Sequence, residues 1–139
     1  GLKADLESLV DTFKAAGAKR ALVLDMSVAS HCELLQSAVE NLKPYLFEFL
    51  NDEFLDVVSN VSAEVYNTKD EAIEFLSSQL IAPVKYKQSI KAHDSKVDLY
   101  IEFGNGAVLK GLNKKSSEKP TLNVSDMKTL NETIEALND

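Results

Sequence analysis

No feature of the sequence narrows the possible folds as much as its alternation of short apolar runs with amphipathic helical stretches. "LKADLESLVDTFKAAGAKR" carries Leu2, Leu6, Leu9, Val10 and Phe13 at helical spacing, and Gly17 suits the position just past a helix end. "RALVLDMS" is short and nearly continuously apolar, the pattern of a buried strand. "CELLQSAVENLKPYLFEFL" is helical again, with Pro44 able to bend or restart it. "FLDVVSNV" reads as a second strand. "TKDEAIEFLSSQLIAPVKYKQSIKAHD" gives two helices split at Pro83, the first capped by Thr68 or Asp70. "VDLYIEFGNG" is a third strand ending in a glycine turn, "AVLKGLNKK" a short helix and "TLNV" a short strand. "SDMKTLNETIEAL" closes as an amphipathic helix starting at Ser125 or Asp126. Helical connections between successive strands point to an α/β architecture with a largely parallel sheet. In such sheets functional groups gather at the carboxyl ends of strands. His31, Asn60 and the Gly104–Gly106 turn all fall at such ends and are expected on one edge of one sheet.

At 139 residues and 45% hydrophobic, the chain is one domain's worth of material with enough apolar surface for a core. Its formal charge of −7 opposes a phosphate backbone, which argues against nucleic-acid binding through bulk electrostatics. That charge is unevenly spread. Residues 1–80 hold six Lys/Arg against fourteen Asp/Glu, whereas residues 84–119 hold eight Lys against four acids. The basic stretch is either a solvated lysine face or a surface for an acidic partner. Cys32 is the single cysteine, so no intramolecular disulfide forms and a reducing cytoplasm is the simplest compartment. No leader pattern opens the chain and no apolar run approaches membrane-spanning length. Gly1 in place of methionine reads as a trimmed or partial sequence.

His31 is the strongest candidate for chemistry. A histidine just past a buried strand and ahead of a helix can be rigidly aimed, as a general base near neutral pH requires. The competing reading is a histidine that merely caps the helix. No G-x-S-x-G occurs, so the strand–turn–helix elbow that exposes a nucleophilic serine is absent. Cys32 is a poor substitute, because neighbouring side chains at a helix start diverge; a small buried thiol is the better reading. Two distant histidines and one cysteine give no metal-ligand set. "FGNG" is a lone G-x-G, weak evidence for a phosphate cradle. The amides of Gln79 and Asn60 can orient a neighbouring group, and His93 in "KAHDS" reads as an exposed helix-end residue.

Taken together, "AGAKRALVLDMSVASH", "VVSNVSAEVY", "SSQLIAPVKYKQSI" and "LYIEFGNGAVLKGLNKK" resemble successive blocks of the malonyl-CoA:acyl carrier protein transacylases of bacterial fatty acid synthesis. The resemblance spans nearly the whole chain. It implies the C-terminal part of an α/β-hydrolase-like acyltransferase domain. Residues 1–26 would be the last helix and strand of its ferredoxin-like small subdomain, and residues 27–139 the C-terminal part of the large subdomain. The family's serine elbow, malonyl-binding arginine and oxyanion-hole glutamine loop lie upstream of the matched blocks and are not in this sequence. By resemblance His31 is the catalytic histidine, oriented by a backbone carbonyl near Gln79, with Asn60 supporting the same edge. The substrates implied are malonyl-CoA and phosphopantetheinylated acyl carrier protein, with no metal or cofactor.

Two departures from the family pattern stand out. The block that commonly reads S-G-P-F-H is "SVASH" here, which puts the small Ser30 in the substrate pocket, as in acyltransferases that accept branched units. "FGNG" replaces the usual G-P-G turn. Lys110, Lys114 and Lys115 would dock the acidic carrier protein. A chain lacking the upstream strands is expected to expose sheet edges and to self-associate beside "RALVLDMS". The reading from a different class is a non-catalytic α/β binding module with His31 as a structural cap.

Overall fold

The computed structural model describes residues 1–26 and 28–138, so the expected subdomain boundary at Ser27 lies outside the described residues, as does Asp139. Helix α1 spans Lys3–Ala15 and ends as its glycine requires. Gly17 sits at φ +97°, its N–H bonding Lys14 O, while the Ala18 N–H reaches back to Phe13 O, each at 3.0 Å. That pair of bonds is a Schellman close, available cheaply only where no Cβ obstructs the left-handed region.

After a 3₁₀ turn at Glu33–Leu35, α2 runs through Gln36–Phe49 without interruption at Pro44. Strand β1 (Glu53–Val58) pairs antiparallel with β2 (Val65–Thr68). Helix α3 (Lys69–Ser78) follows at once. Thr68 is its cap: the hydroxyl accepts the Glu71 N–H and donates to the Glu71 carboxylate at 2.7 Å, a local box that satisfies an otherwise orphaned helix end. Next come α4 (Tyr86–His93), β3 (Tyr100–Phe103), α5 (Val108–Asn113), β4 (Thr121–Val124) and α6 (Met127–Asn138). β3 and β4 are parallel, in the register Tyr100–Thr121 through Phe103–Val124, and α6 folds back on β4. Asp126 opens α6, its carboxylate accepting the Thr129 N–H at 2.8 Å.

The buried apolar side chains are Val39, Ala63, Tyr66, Ala72 and Ile90. Tyr66 anchors them, with ring centroids 6.1 Å from Phe54 and 5.3 Å from Phe75, so β1, β2 and α3 meet through aromatic edges. A second, polar, centre joins α4, α5 and β4. The Tyr86 hydroxyl donates to Asn113 Oδ1 at 2.7 Å, and Asn113 Nδ2 donates to Thr121 Oγ1 at 3.1 Å. Burial of this hydroxyl raises the Tyr86 pKa.

Three expectations need correction. The architecture is α/β, but the sheet is not one largely parallel sheet: the described residues form two separate pairs, of which β1–β2 is antiparallel. β2 was not among the expected strands. "RALVLDMS" is neither a strand nor buried over its described residues. It makes no ladder with any described strand, and Leu22, Leu24 and Met26 are exposed, Leu24 to 65%. Strands exist as pairs, and an apolar run with no neighbour to accept its N–H groups stays extended but unladdered. Between this run and α1 lies an open apolar groove of about 1060 Å³, lined by Leu6, Val10, Phe13, Leu22, Leu24 and Met26.

Candidate active site

Helix α3 leaves its last carbonyls without intrahelical partners, as every helix must. The Gln79 N–H still bonds Phe75 O, but the carbonyls of Gln79 and Leu80 point onward, and one residue takes both. The His31 backbone N–H donates to Leu80 O at 2.9 Å, and its ring Nδ1 lies 2.8 Å from Gln79 O. A carbonyl oxygen only accepts, so Nδ1 carries the proton and, in the neutral ring, Nε2 keeps its lone pair. His31 achieves this with φ at +63°, a conformation costly to a residue with a Cβ and held by its surroundings. The side chain is exposed. It does not cap the helix that follows, since its ring bonds a carbonyl 48 residues on.

The Gln79 side chain is held in turn. Asn60 Nδ2 donates to Gln79 Oε1 at 3.2 Å, and the Asn60 carbonyl accepts the Lys85 N–H at 2.8 Å. Asn60 belongs to the turn 59–63 that follows β1. Inside it the buried Ser59 hydroxyl accepts the N–H groups of Val61 and Ser62, and the Ala63 N–H bonds Ser59 O. Ala63 stands at φ +67°. His31, Gln79 and Asn60 therefore form one hydrogen-bonded set, assembled from three stretches of chain. Ser30 is exposed beside His31.

The Gly104–Gly106 turn is not part of this set, because it follows β3 in the other strand pair. Nor is it a phosphate cradle. The carboxylate of Glu102 accepts the N–H groups of Lys110, at 2.9 Å, and Leu109, at 3.0 Å. These bonds occupy the start of α5 and hold the Glu102 carboxyl below the usual range. Glu102 escaped sequence reading because its partners are backbone groups seven and eight residues away. Cys32 is half-buried, its thiol donating to Ala29 O at 3.3 Å. His93 is half-buried rather than exposed, with Nε2 3.0 Å from Ala63 O, a contact invisible in a helix-end pattern.

Lys114 and Lys115 are exposed and share a cleft of about 330 Å³ with Lys91, Ser116, Ser117 and the acidic Asp94 and Glu118; Lys110 is half-buried and outside it. Among the described residues none of these lysines is within 4.0 Å of a carboxylate. Among the described residues there is no group of three or more His, Cys, Asp or Glu placed to hold a metal, and no helix is long and apolar enough to cross a membrane.

No family model matches the chain. Over its whole length it is 38% identical to the malonyl CoA-acyl carrier protein transacylase of Bacillus subtilis, covering 45% of that protein. It superposes on the malonyl-CoA:acyl carrier protein transacylase of Helicobacter pylori with a TM-score of 0.92 and 45% identity, covering all of this chain and 45% of that one. A malonyl-transacylase solved in complex with a type II PKS acyl-carrier protein matches 98% of this chain and 45% of its own, at 32% identity and a TM-score of 0.85. The chain thus spans just under half the length of the relatives it matches.

Proposed function

We propose that this chain, homologous along its length to part of the malonyl CoA-acyl carrier protein transacylases, supplies the histidine of a malonyl transfer site. The nucleophile is a serine from sequence beyond these 139 residues. The observation that carries the reading is the bond from His31 Nδ1 to the Gln79 carbonyl, which leaves Nε2 free to accept a proton.

His31 Nε2 takes the proton of the serine hydroxyl as its oxygen attacks the malonyl-CoA thioester carbon. The C–S bond breaks, the coenzyme A thiolate leaves, and the imidazolium returns the proton to it. The phosphopantetheine thiol of the carrier protein then gives its proton to Nε2 and attacks the serine ester. The serine oxygen leaves and regains that proton. One imidazole alternates as base and acid, and positioned proton transfer of this kind contributes roughly 10²–10⁴-fold. A thioester is activated enough for this route to need neither metal nor cofactor.

Asn60 and the Gln79 carbonyl position the ring. Ser30 lines the pocket beside the acyl α-carbon, where its small side chain leaves room. Lys114 and Lys115, joined by Lys91 in the same cleft, attract the acidic carrier protein, with Lys110 at its margin. Residues 1–26 and 27–139 correspond to the end of a small subdomain and part of a large one, and the cytoplasm is the compartment. The 139 residues alone lack the nucleophile and are inactive.

The test is transfer of radiolabelled malonyl groups to carrier protein by the complete polypeptide bearing this sequence and its serine, beside a His31→Ala version. Loss of transfer by about two orders of magnitude or more is expected. Undiminished transfer would remove His31 from the mechanism.

A further inference from the structure

We infer that His93, on α4, is a positioning residue for His31, acting through the turn 59–63. The inference builds on the active-site reading above, but its test does not depend on that reading. His93 Nε2 lies 3.0 Å from Ala63 O, and its Nδ1 lies 3.5 Å from Lys96 Nζ. A carbonyl only accepts and an ammonium only donates, so Nε2–H donates to Ala63 while Nδ1 accepts from Lys96.

The bond falls where the backbone needs holding. Ala63 is a residue with a Cβ at φ +67°, a costly conformation that persists only where several contacts determine it. The contacts within the turn, Ala63 N–H to Ser59 O and the two bonds to Ser59 Oγ, close it upon itself, and the β1–β2 pair holds its ends, with Val58 opposite Val65 and the Ser59 N–H on Glu64 O at 2.9 Å. Between those fixed ends, α4 grips the turn twice. The Lys85 N–H at one end of the helix holds Asn60 O at 2.8 Å, and the His93 ring at the other holds Ala63 O. The grips lie at opposite ends of α4 and act on carbonyls three residues apart in the turn, so together they form a bracket that sets its tilt against the helix. With the His93 grip removed, the tip of the turn can tilt between its strand ends as the positive-φ Ala63 relaxes. Asn60 Nδ2 then loses its aim at Gln79 Oε1, and the carbonyl that fixes the His31 tautomer is freed with it.

The experiment reads the ring nitrogens of His31 by ¹⁵N-resolved NMR on the complete polypeptide bearing this sequence, at alkaline pH. Unsubstituted protein should give distinct Nδ1 and Nε2 signals, those of a single Nδ1–H tautomer. His93→Ala should collapse this pattern toward the averaged signals of exchanging tautomers and shift the Asn60 side-chain amide. His93→Gln, whose amide nitrogen occupies the place of Nε2, should restore both. An unchanged His31 pattern in His93→Ala would overturn the inference. So would its loss in His93→Gln as well, or a collapse of all backbone amides in His93→Ala rather than those of the turn. None of these readouts involves malonyl transfer, so an inactive enzyme and a failed bracket are distinguishable.

Discussion

His31 and Gln79, 48 residues apart in sequence, meet at 2.8 Å, imidazole Nδ1 against main-chain carbonyl. A backbone acceptor cannot be deleted by substitution, but its aim can be loosened through the Gln79 side chain. Asn60→Ala removes the amide that holds Gln79 Oε1, a bond worth about 1 kcal/mol. In the complete enzyme kcat is expected to fall roughly fivefold with KM for malonyl-CoA unchanged. Steady-state kinetics with malonyl-CoA varied checks this; a rise in KM alone would assign Asn60 to binding.

Lys114 and Lys115 are expected to act on the carrier protein and not on the thioester donor. The double reversal Lys114→Glu, Lys115→Glu should raise the apparent KM for carrier protein about tenfold at low ionic strength. The effect should fade as salt screens the exposed charges. Carrier-protein kinetics at two salt concentrations measure it, and an unchanged KM at low salt would end the docking role.

Glu102 links stability to pH. Its folded pKa is lowered, chiefly by the Lys110 N–H and then by the Leu109 N–H. The carboxylate's contribution is therefore complete above the ordinary glutamate value of about 4.3 and is lost as pH falls through the lower folded value. Glu102→Gln should unfold at lower urea than the unsubstituted chain at pH 7, and the gap should close on acidification. A gap that stayed constant down to acid pH would mean the charge is not what holds α5.

Self-association is the expected behaviour of the groove between α1 and residues 20–26. Light scattering of the 139-residue chain should give a mass above the 15.3 kDa monomer at high concentration. Leu22→Lys with Leu24→Lys should lower that mass, because charges on an unladdered apolar edge oppose pairing. A clean monomer throughout would count against the groove as an interface.

What could be read directly from residue order was local. Gly17 closing α1, Thr68 opening α3 and Asp126 opening α6 involve partners within five residues, so spacing alone announces them. The four family-like blocks were legible for the same reason, since each is a contiguous string. "RALVLDMS" misled because its apolar pattern describes a strand's preference, whereas a strand needs a partner that no local pattern supplies. Long-range polar contacts were equally silent. Nothing near residue 93 announces that His93 will face Ala63, and nothing near residue 102 announces that Glu102 will close on α5. The meeting of His31 with the end of α3 is of that kind too. Periodicity and capping act over a turn or two of chain. The aim of a ring 48 residues from its acceptor depends on how whole helices come to rest against one another.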